Sequence, residues 1–265
     1  MARIFLALMV FAGVLGTGFE AHAEKIHLVM PMRVVMAPGQ NTTTMTLMNR
    51  GTEKRAYEIS MTDVVMQEDG PTRRLDTFDY SAKRMLRFVP RRTELAPGEM
   101  QTVRLMVRRP SDLEDGDYHT HIQFKELLSD SGAEKSKEEG KGFRVNLETQ
   151  YAVATPVVVQ HGDVTGELRI KGVDKDATTD KKLKVKMARE GNSEGNGVVR
   201  VFRKTPGGLE KIAHDLTTRI YREINNRTFS IGMLEGYKPE GNLLLRLRES
   251  SSKNARILQE MDVSL

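Results

Sequence analysis

Two histidines separated by one residue, His119 and His121, are side chains whose spacing suggests chemistry. In an extended strand, residues i and i+2 lie on one face, so both imidazoles would point the same way. Two nitrogen ligands do not complete a zinc site, which needs at least three protein ligands. His27, His161 and His214 are too scattered along the chain to nominate as the third. We therefore expect neither a metal site nor a cofactor.

The sequence offers no catalytic cluster. Acidic residues are plentiful, but nothing in their spacing selects a glycosidase pair. There is no Gly-x-Ser-x-Gly motif and no phosphate-binding loop. We expect a protein that is not an enzyme and has no catalytic residues. An exported β-sandwich enzyme acting on glycans is an alternative, but no aromatic sugar platform supports it.

The segment 142–153 alternates between apolar and polar residues. Phe143, Val145 and Leu147 share one face with Tyr151 and Val153, which is the period of a strand with one apolar side. A long charged stretch, 129–141, leads into it. Two interpretations are open: the apolar face packs into its own sandwich, or the strand projects and its face waits for a partner.

The first 23 residues have the pattern of a secretory signal. Arg3 supplies a positive start, residues 4–15 form an apolar run too short to span a bilayer, and Ala21-His22-Ala23 fits the small-x-small cleavage rule. We therefore predict a signal peptide over residues 1–23 and an exported mature protein.

Composition narrows the classes of partner. The chain has 265 residues, no cysteine and no tryptophan, and a formal net charge of +5. Without disulfides, stability must come from packed domains, and the mature length suffices for two. The basic residues are scattered, whereas nucleic-acid binding requires a clustered basic patch. We expect no nucleic-acid partner.

Short alternating strands recur along the chain, separated by turn sequences such as Ala37-Pro38-Gly39 and Asp115-Gly116. Seven are predicted over residues 24–155, at intervals of about ten residues, as in an immunoglobulin-like sandwich. Pro156 is predicted to mark a joint, and residues 156–265 show a second set of strands. The predicted fold is all-β, with two immunoglobulin-like β-sandwich domains in tandem, 24–155 and 156–265.

Several segments of the first domain carry a resemblance to a known family. They are Arg33-Val34-Val35, Thr46-Leu47-Met48-Asn49, the run from Phe88-Val89-Pro90 through Ala96-Pro97-Gly98 to Gln101-Thr102-Val103-Arg104, the run Leu113-Glu114-Asp115-Gly116-Asp117-Tyr118, and Ala154-Thr155-Pro156-Val157-Val158-Val159. In these the chain resembles the periplasmic chaperones of the chaperone–usher pilus (fimbrial) assembly pathway. Residues 161–265 match the family weakly.

The resemblance implies a boomerang of two immunoglobulin-like domains and a non-enzymatic function in the periplasm. Such a chaperone binds pilus or fimbrial subunits that lack one strand, lends them a strand of its own, and delivers them to an outer-membrane usher. Phe143, Val145 and Leu147 match the positions that the family donates. Burying three such side chains contributes roughly 5 to 9 kcal/mol before ordering costs.

The resemblance also implies an anchor for the subunit's C-terminal carboxylate. Arg33 matches the family's first basic anchor in the cleft between the domains, and a guanidinium can hold a carboxylate with two hydrogen bonds. The family places a second basic residue, a lysine, at the position that falls here on Ala152. The second anchor is therefore missing from its usual place.

Two further expectations concern assembly. A strand with an exposed apolar face favours self-association, so a self-capping dimer is a possible state of the free protein. A structural surface or pilus-associated β-sandwich protein is the alternative to a chaperone, and it would be found in sheared surface fractions.

Overall fold

The computed structural model describes residues 27–127 and 150–265. In these ranges all regular elements are β-strands. The described residues include no helix with the length and apolar character needed to cross a membrane. The predicted signal peptide, residues 1–23, lies outside the described residues.

The described residues of the first domain form ten strands. They are β1 (His27–Met30), β2 (Val34–Met36), β3 (Thr42–Asn49), β4 (Arg55–Met66), β5 (Thr72–Leu75), β6 (Leu86–Val89), β7 (Arg92–Leu95), β8 (Met100–Val107), β9 (Gly116–Leu127) and β10 (Ala152–His161). One sheet has the order β1-β3-β8-β6, and the other has the order β2-β10-β9-β4-β5, with β7 also paired to β4.

The core of this domain lies between the two sheets and follows the alternation in the sequence. Along β8, for example, Val103, Leu105 and Val107 are buried while Arg104 is exposed. Each such side chain contributes about 1.5 to 3 kcal/mol when it is removed from water. The period-two pattern therefore specifies which face of each strand packs inward.

Alternation over residues 25–35 predicts a single strand there, but the described part of this segment, from His27 onward, forms two strands in different sheets. β1 pairs with β3, whereas β2 pairs with β10. Pro31 lies between them and cannot donate a main-chain hydrogen bond, so the chain leaves one sheet there and joins the other.

Eight strands form the second domain. They are β11 (Gly166–Lys175), β12 (Lys182–Gly191), β13 (Gly195–Thr205), β14 (Gly208–Lys211), β15 (Leu216–Ile220), β16 (Asn226–Gly232), β17 (Asn242–Arg248) and β18 (Ile257–Ser264). A β11-β12-β16 sheet packs on a β14-β13-β17-β18 sheet, with β15 paired to β13. The predicted all-β fold of two sandwiches is thus confirmed.

The predicted domain boundary at residues 155 and 156 falls inside β10 and needs correction. This strand pairs with β9 over its whole length, through Pro156 to His161. Proline is accommodated because its missing N–H would point away from β9, toward the edge of the sheet. We place the boundary in residues 162–165, before β11 begins at Gly166.

Candidate functional site

Strand β10 is paired on both sides over only part of its length. On one side β9 covers it from Ala152 to His161. On the other side β2 pairs only with residues 157–159, running parallel to it. Within the described ranges, residues 152–156 therefore form an open edge of the sheet, which we call the β10 edge.

The main-chain groups at the β10 edge point away from the domain. The Glu126 N–H donates to the Tyr151 carbonyl at 3.0 Å, which fixes the phase of the antiparallel pairing. In an antiparallel pair, the main-chain groups of alternate residues point to the partner strand, as those of Tyr151 do here. The N–H and C=O groups of Ala152 and Ala154 therefore face away from β9. Pro156 has the same orientation and contributes only a carbonyl. Unpaired groups of this kind are a template for another strand.

Exposed apolar side chains flank this edge. Tyr151 is 46% and Val153 is 40% exposed. Met30 and Met32, at 52% and 79%, come just before β2, whose Val34 pairs with Val157 of β10. The edge therefore combines apolar surface with main-chain groups that have no partner among the described residues, which is what an added strand requires.

The three predicted donor side chains, Phe143, Val145 and Leu147, lie outside the described residues. Their role stays a prediction.

The structure places Arg33 between the two domains. Its Nη1 donates to the Tyr221 hydroxyl at 3.1 Å, its Nη2 forms an ion pair with Glu194, and its guanidinium lies 5.5 Å from the Tyr221 ring centroid. Burial raises the pKa of Tyr221, although the charge of Arg33 opposes that shift. Arg33 is thus held by second-domain side chains.

Ala152, where the resemblance expects a lysine, is exposed at the start of β10. Its cross-strand partner on β9 is Lys125, so a basic residue does occur at this level of the sheet. Arg33 comes just before Val34, whose partner on β10 is Val157, five residues from Ala152, which is roughly 16 Å along a strand.

A buried polar junction joins the domains next to Arg33. Oδ2 of Asp117 accepts hydrogen bonds from the Ser193 hydroxyl at 2.7 Å and from the Glu194 N–H at 2.9 Å. The Asp117 N–H donates to the Asn192 carbonyl at 3.0 Å. Gly116 has a φ of +132°, and a Cβ there would lie 2.3 Å from the Asn192 carbonyl. The approach of the two domains thus requires glycine at this position.

The histidines of β9 also belong to this junction. His119 Nε2 lies 3.0 Å from Oε2 of Glu223, and its ring stacks on Tyr221 with centroids 4.5 Å apart. The other Glu223 oxygen accepts the Met66 N–H at 2.8 Å. The His119 and His121 rings are 6.1 Å apart on the same face of β9.

No metal centre is seen at these histidines or elsewhere in the described part of the chain, because no three potential ligands come together there. The His119–Glu223 contact instead serves the domain junction. Burial raises the pKa of Glu223, but the hydrogen bond and charge of His119, together with main-chain hydrogen bonds, outweigh burial, so the pKa lies below its ordinary value.

His121 makes the stability of the protein depend on pH. Burial, and next the charge of His119, lower its pKa to about 4. The unfolded chain takes up a proton below about pH 6.5, whereas the folded chain does not until about pH 4, so the free energy of unfolding falls as the pH falls between these values. We expect the contribution of His121 to decrease by about 2 kcal/mol between pH 7 and pH 5.

Urea unfolding of the wild type and of His121→Gln at the two pH values measures this effect. The variant is expected to lose about 2 kcal/mol less than the wild type. His214→Gln, at an exposed position, is the control, and its free energy of unfolding should fall by as much as that of the wild type. Equal losses of unfolding free energy in all three proteins would contradict the claim that His121 causes the pH dependence.

Sequence reasoning predicted Arg33 as an anchor, which stays a prediction, but missed its contacts with Glu194 and Tyr221 and those of Asp117 and Glu223. Glu194, Tyr221 and Glu223 lie between strands, and Asp117 lies at the start of β9. These positions are far apart in the sequence, and no local pattern marks them. The turn sequence Gly191-Asn192-Ser193-Glu194, which the sequence indicates only as a loop, was the one available signal.

No family model and no curated protein matches this chain. Among solved structures, the YadV chaperone is 10% identical, with a TM-score of 0.50, and the match covers 90% of this chain and 100% of that one. A chain from the chaperone–tip adhesin complex of CFA/I fimbriae biogenesis is 11% identical, with coverage of 89% and 97% and a TM-score of 0.49. The class 5 fimbriae chaperone CfaA is 13% identical, with a TM-score of 0.48, and the match covers 89% of this chain and 97% of that one. The chain therefore has the two-domain β-sandwich fold of the YadV chaperone.

Proposed function

We propose that this protein is a non-enzymatic periplasmic chaperone for subunits of a pilus or fimbria. It binds a subunit that lacks one strand, completes the subunit's sheet with residues 143–156, and delivers it to an outer-membrane usher. The observation that carries the proposal is the β10 edge, where outward-facing main-chain groups occur beside exposed Tyr151 and Val153. The predicted signal peptide supports the periplasm as the compartment.

The physical reason for strand donation lies in the subunit. A sandwich that lacks a strand exposes a groove and an unpaired edge, both of which promote aggregation. The β10 edge can satisfy that subunit edge with main-chain hydrogen bonds, while the side chains at 143, 145 and 147 fill the groove. The shared fold with the YadV chaperone is consistent with this role.

Ala154→Pro tests the edge itself. The Ala154 N–H faces away from β9, so proline removes an edge donor without removing a β9 hydrogen bond, and Pro156 already occupies an equivalent position. We expect a folded protein that captures subunits at least tenfold less well. The assay is co-expression with small exported β-proteins encoded beside its own gene, followed by co-purification from the periplasm.

Ala154→Val is the matched control, because it retains the N–H and has a side chain suited to strands. It should capture subunits as the wild type does. Undiminished capture by a folded Ala154→Pro protein would contradict strand addition at this edge.

A further inference from the structure

The β1-β3-β8-β6 sheet packs one face on the core of the first domain and turns the other to the surface. Strand alternation and the cross-strand register define this outer face as every second residue of 28–30, 42–48, 87–89 and 100–106, beginning with the first of each range. Its twelve positions hold six apolar side chains, four threonines and two arginines. None of the twelve is buried, and none is a carboxylate.

The apolar side chains of the outer face are exposed and adjacent. Met30 is 52%, Val89 is 51% and Met100 is 62% exposed. The register also aligns Leu28, Met48 and Met100 in one row across three strands. Contiguous apolar surface of this kind marks a site that contacts another protein or a membrane.

Positive charge is concentrated beside these side chains. Residues 81–110 contain eight Lys or Arg and two Glu, a net charge of +6, which exceeds the +5 of the whole chain. Arg87 and Arg104 lie on the outer face as diagonal neighbours, because Arg87 pairs with Met106. The ion pairs of the described first-domain residues include neither arginine. Basic residues that are scattered in the sequence are thus gathered here by the fold.

The chemistry of the outer face matches an anionic bilayer better than it matches a protein. Guanidinium and hydroxyl groups donate hydrogen bonds to phosphate oxygens, and exposed methionine and valine side chains can enter the layer between headgroups and acyl chains. Protein partners carry charges of both signs, and this face has no carboxylate with which to pair their basic groups. The signal peptide predicted over residues 1–23 indicates export, so the protein would meet a membrane surface.

We propose that the outer face binds anionic phospholipid and holds the first domain against a membrane surface. Arg87 and Arg104 contact phosphate groups, while Met30, Val89 and Met100 lie in the interfacial layer. Each arginine close to an anionic surface strengthens such binding by roughly a factor of five, and salt weakens it. The β10 edge belongs to the other sheet, so the proposal goes beyond strand donation and leaves that edge available.

Sedimentation of the mature protein with lipid vesicles tests the proposal. Vesicles of equimolar phosphatidylcholine and phosphatidylglycerol should bind the wild type, whereas vesicles of phosphatidylcholine alone should not. Arg87→Gln combined with Arg104→Gln should weaken binding to the anionic vesicles about 25-fold. Arg104→Glu alone, at an exposed position on β8, should weaken it at least tenfold.

Arg73→Gln combined with Arg74→Gln is the matched control. Both arginines are exposed on β5, in the other sheet of the domain, and the double variant removes the same charge. Its binding should stay within twofold of that of the wild type. Thermal unfolding shows that the compared proteins are folded. Equal weakening in the two double variants, or equal binding of the wild type to the two kinds of vesicle, would overturn the proposal.

A photo-cross-linking amino acid placed at Thr102, which is exposed on the outer face, distinguishes a membrane from a protein partner in cells. Lipid adducts are the expected product, and protein adducts alone would overturn the proposal. The two proposals fail separately, because Ala154→Pro should reduce subunit capture and leave vesicle binding unchanged. Arg87→Gln combined with Arg104→Gln should do the reverse.

Discussion

Replacing Val145 with aspartate is expected to weaken the binding of a pilus subunit at least a hundredfold. Val145 is the middle one of the three predicted donor side chains. The carboxylate of the aspartate that replaces it would therefore enter the centre of the subunit's apolar groove. Removing an unpaired carboxylate from water costs more than the roughly 3 kcal/mol that a hundredfold loss represents. The loss of the apolar contact of the valine side chain weakens binding by a further free energy of about 1.5 kcal/mol.

Asn146→Asp is the matched control for this substitution. It adds the same charge at the next residue, whose side chain points to the opposite, polar face of the predicted strand. Co-purified subunit per chaperone, measured from the periplasm, should fall to background for Val145→Asp and stay near the wild-type level for Asn146→Asp. Equal loss in both variants would indicate a general charge effect, and no loss in either would remove Val145 from the binding face.

Arg189→Met is expected to lower the free energy of unfolding by about 3 to 5 kcal/mol. Arg189 is 5% exposed and donates hydrogen bonds to four main-chain carbonyls and to Oδ1 of Asn225, at 2.6 to 3.2 Å. The four carbonyls belong to Gly191, Ser193, Arg222 and Ile224. Methionine fills part of the volume but leaves these acceptors without a donor.

The effect should extend to the domain junction, because the same two turns carry Glu194, Tyr221 and Glu223. Thermal unfolding is the measurement, and a decrease in Tm of about 10 °C is expected for a protein of this size. Arg169→Met is the control, since Arg169 is exposed and makes one surface ion pair, to Glu167. A shift no larger than that of Arg169→Met would show that the turns do not depend on Arg189.

Alternation in the sequence predicted most of the strands because the burial of one face imposes it. The prediction missed β5 and β7, whose sequences Thr72-Arg73-Arg74-Leu75 and Arg92-Thr93-Glu94-Leu95 are mostly polar. Both pair with opposite ends of the long strand β4 and expose most of their side chains. Main-chain pairing rather than a buried face holds such strands, and it leaves little trace in the sequence.

Proline misled the prediction of the domain boundary for a related reason. Pro156 suggested a break, but whether proline interrupts a strand depends on where its missing N–H would point. That direction follows from the pairing with β9. The side chains of the domain junction were beyond prediction for a different reason. Asp117 meets Ser193, and His119 meets Glu223, only where the two domains come together.

The central claim is that the β10 edge pairs with another chain, and amide hydrogen exchange at individual residues of β10 tests it most directly. In the free protein, the amides of Ala152 and Ala154 should exchange rapidly, whereas that of Val153, which faces β9, should be protected. In a complex with a bound subunit, the account predicts that exchange at Ala152 and Ala154 slows at least a hundredfold while that of Val153 changes little. Rapid exchange at both alanines in a stable complex would contradict it.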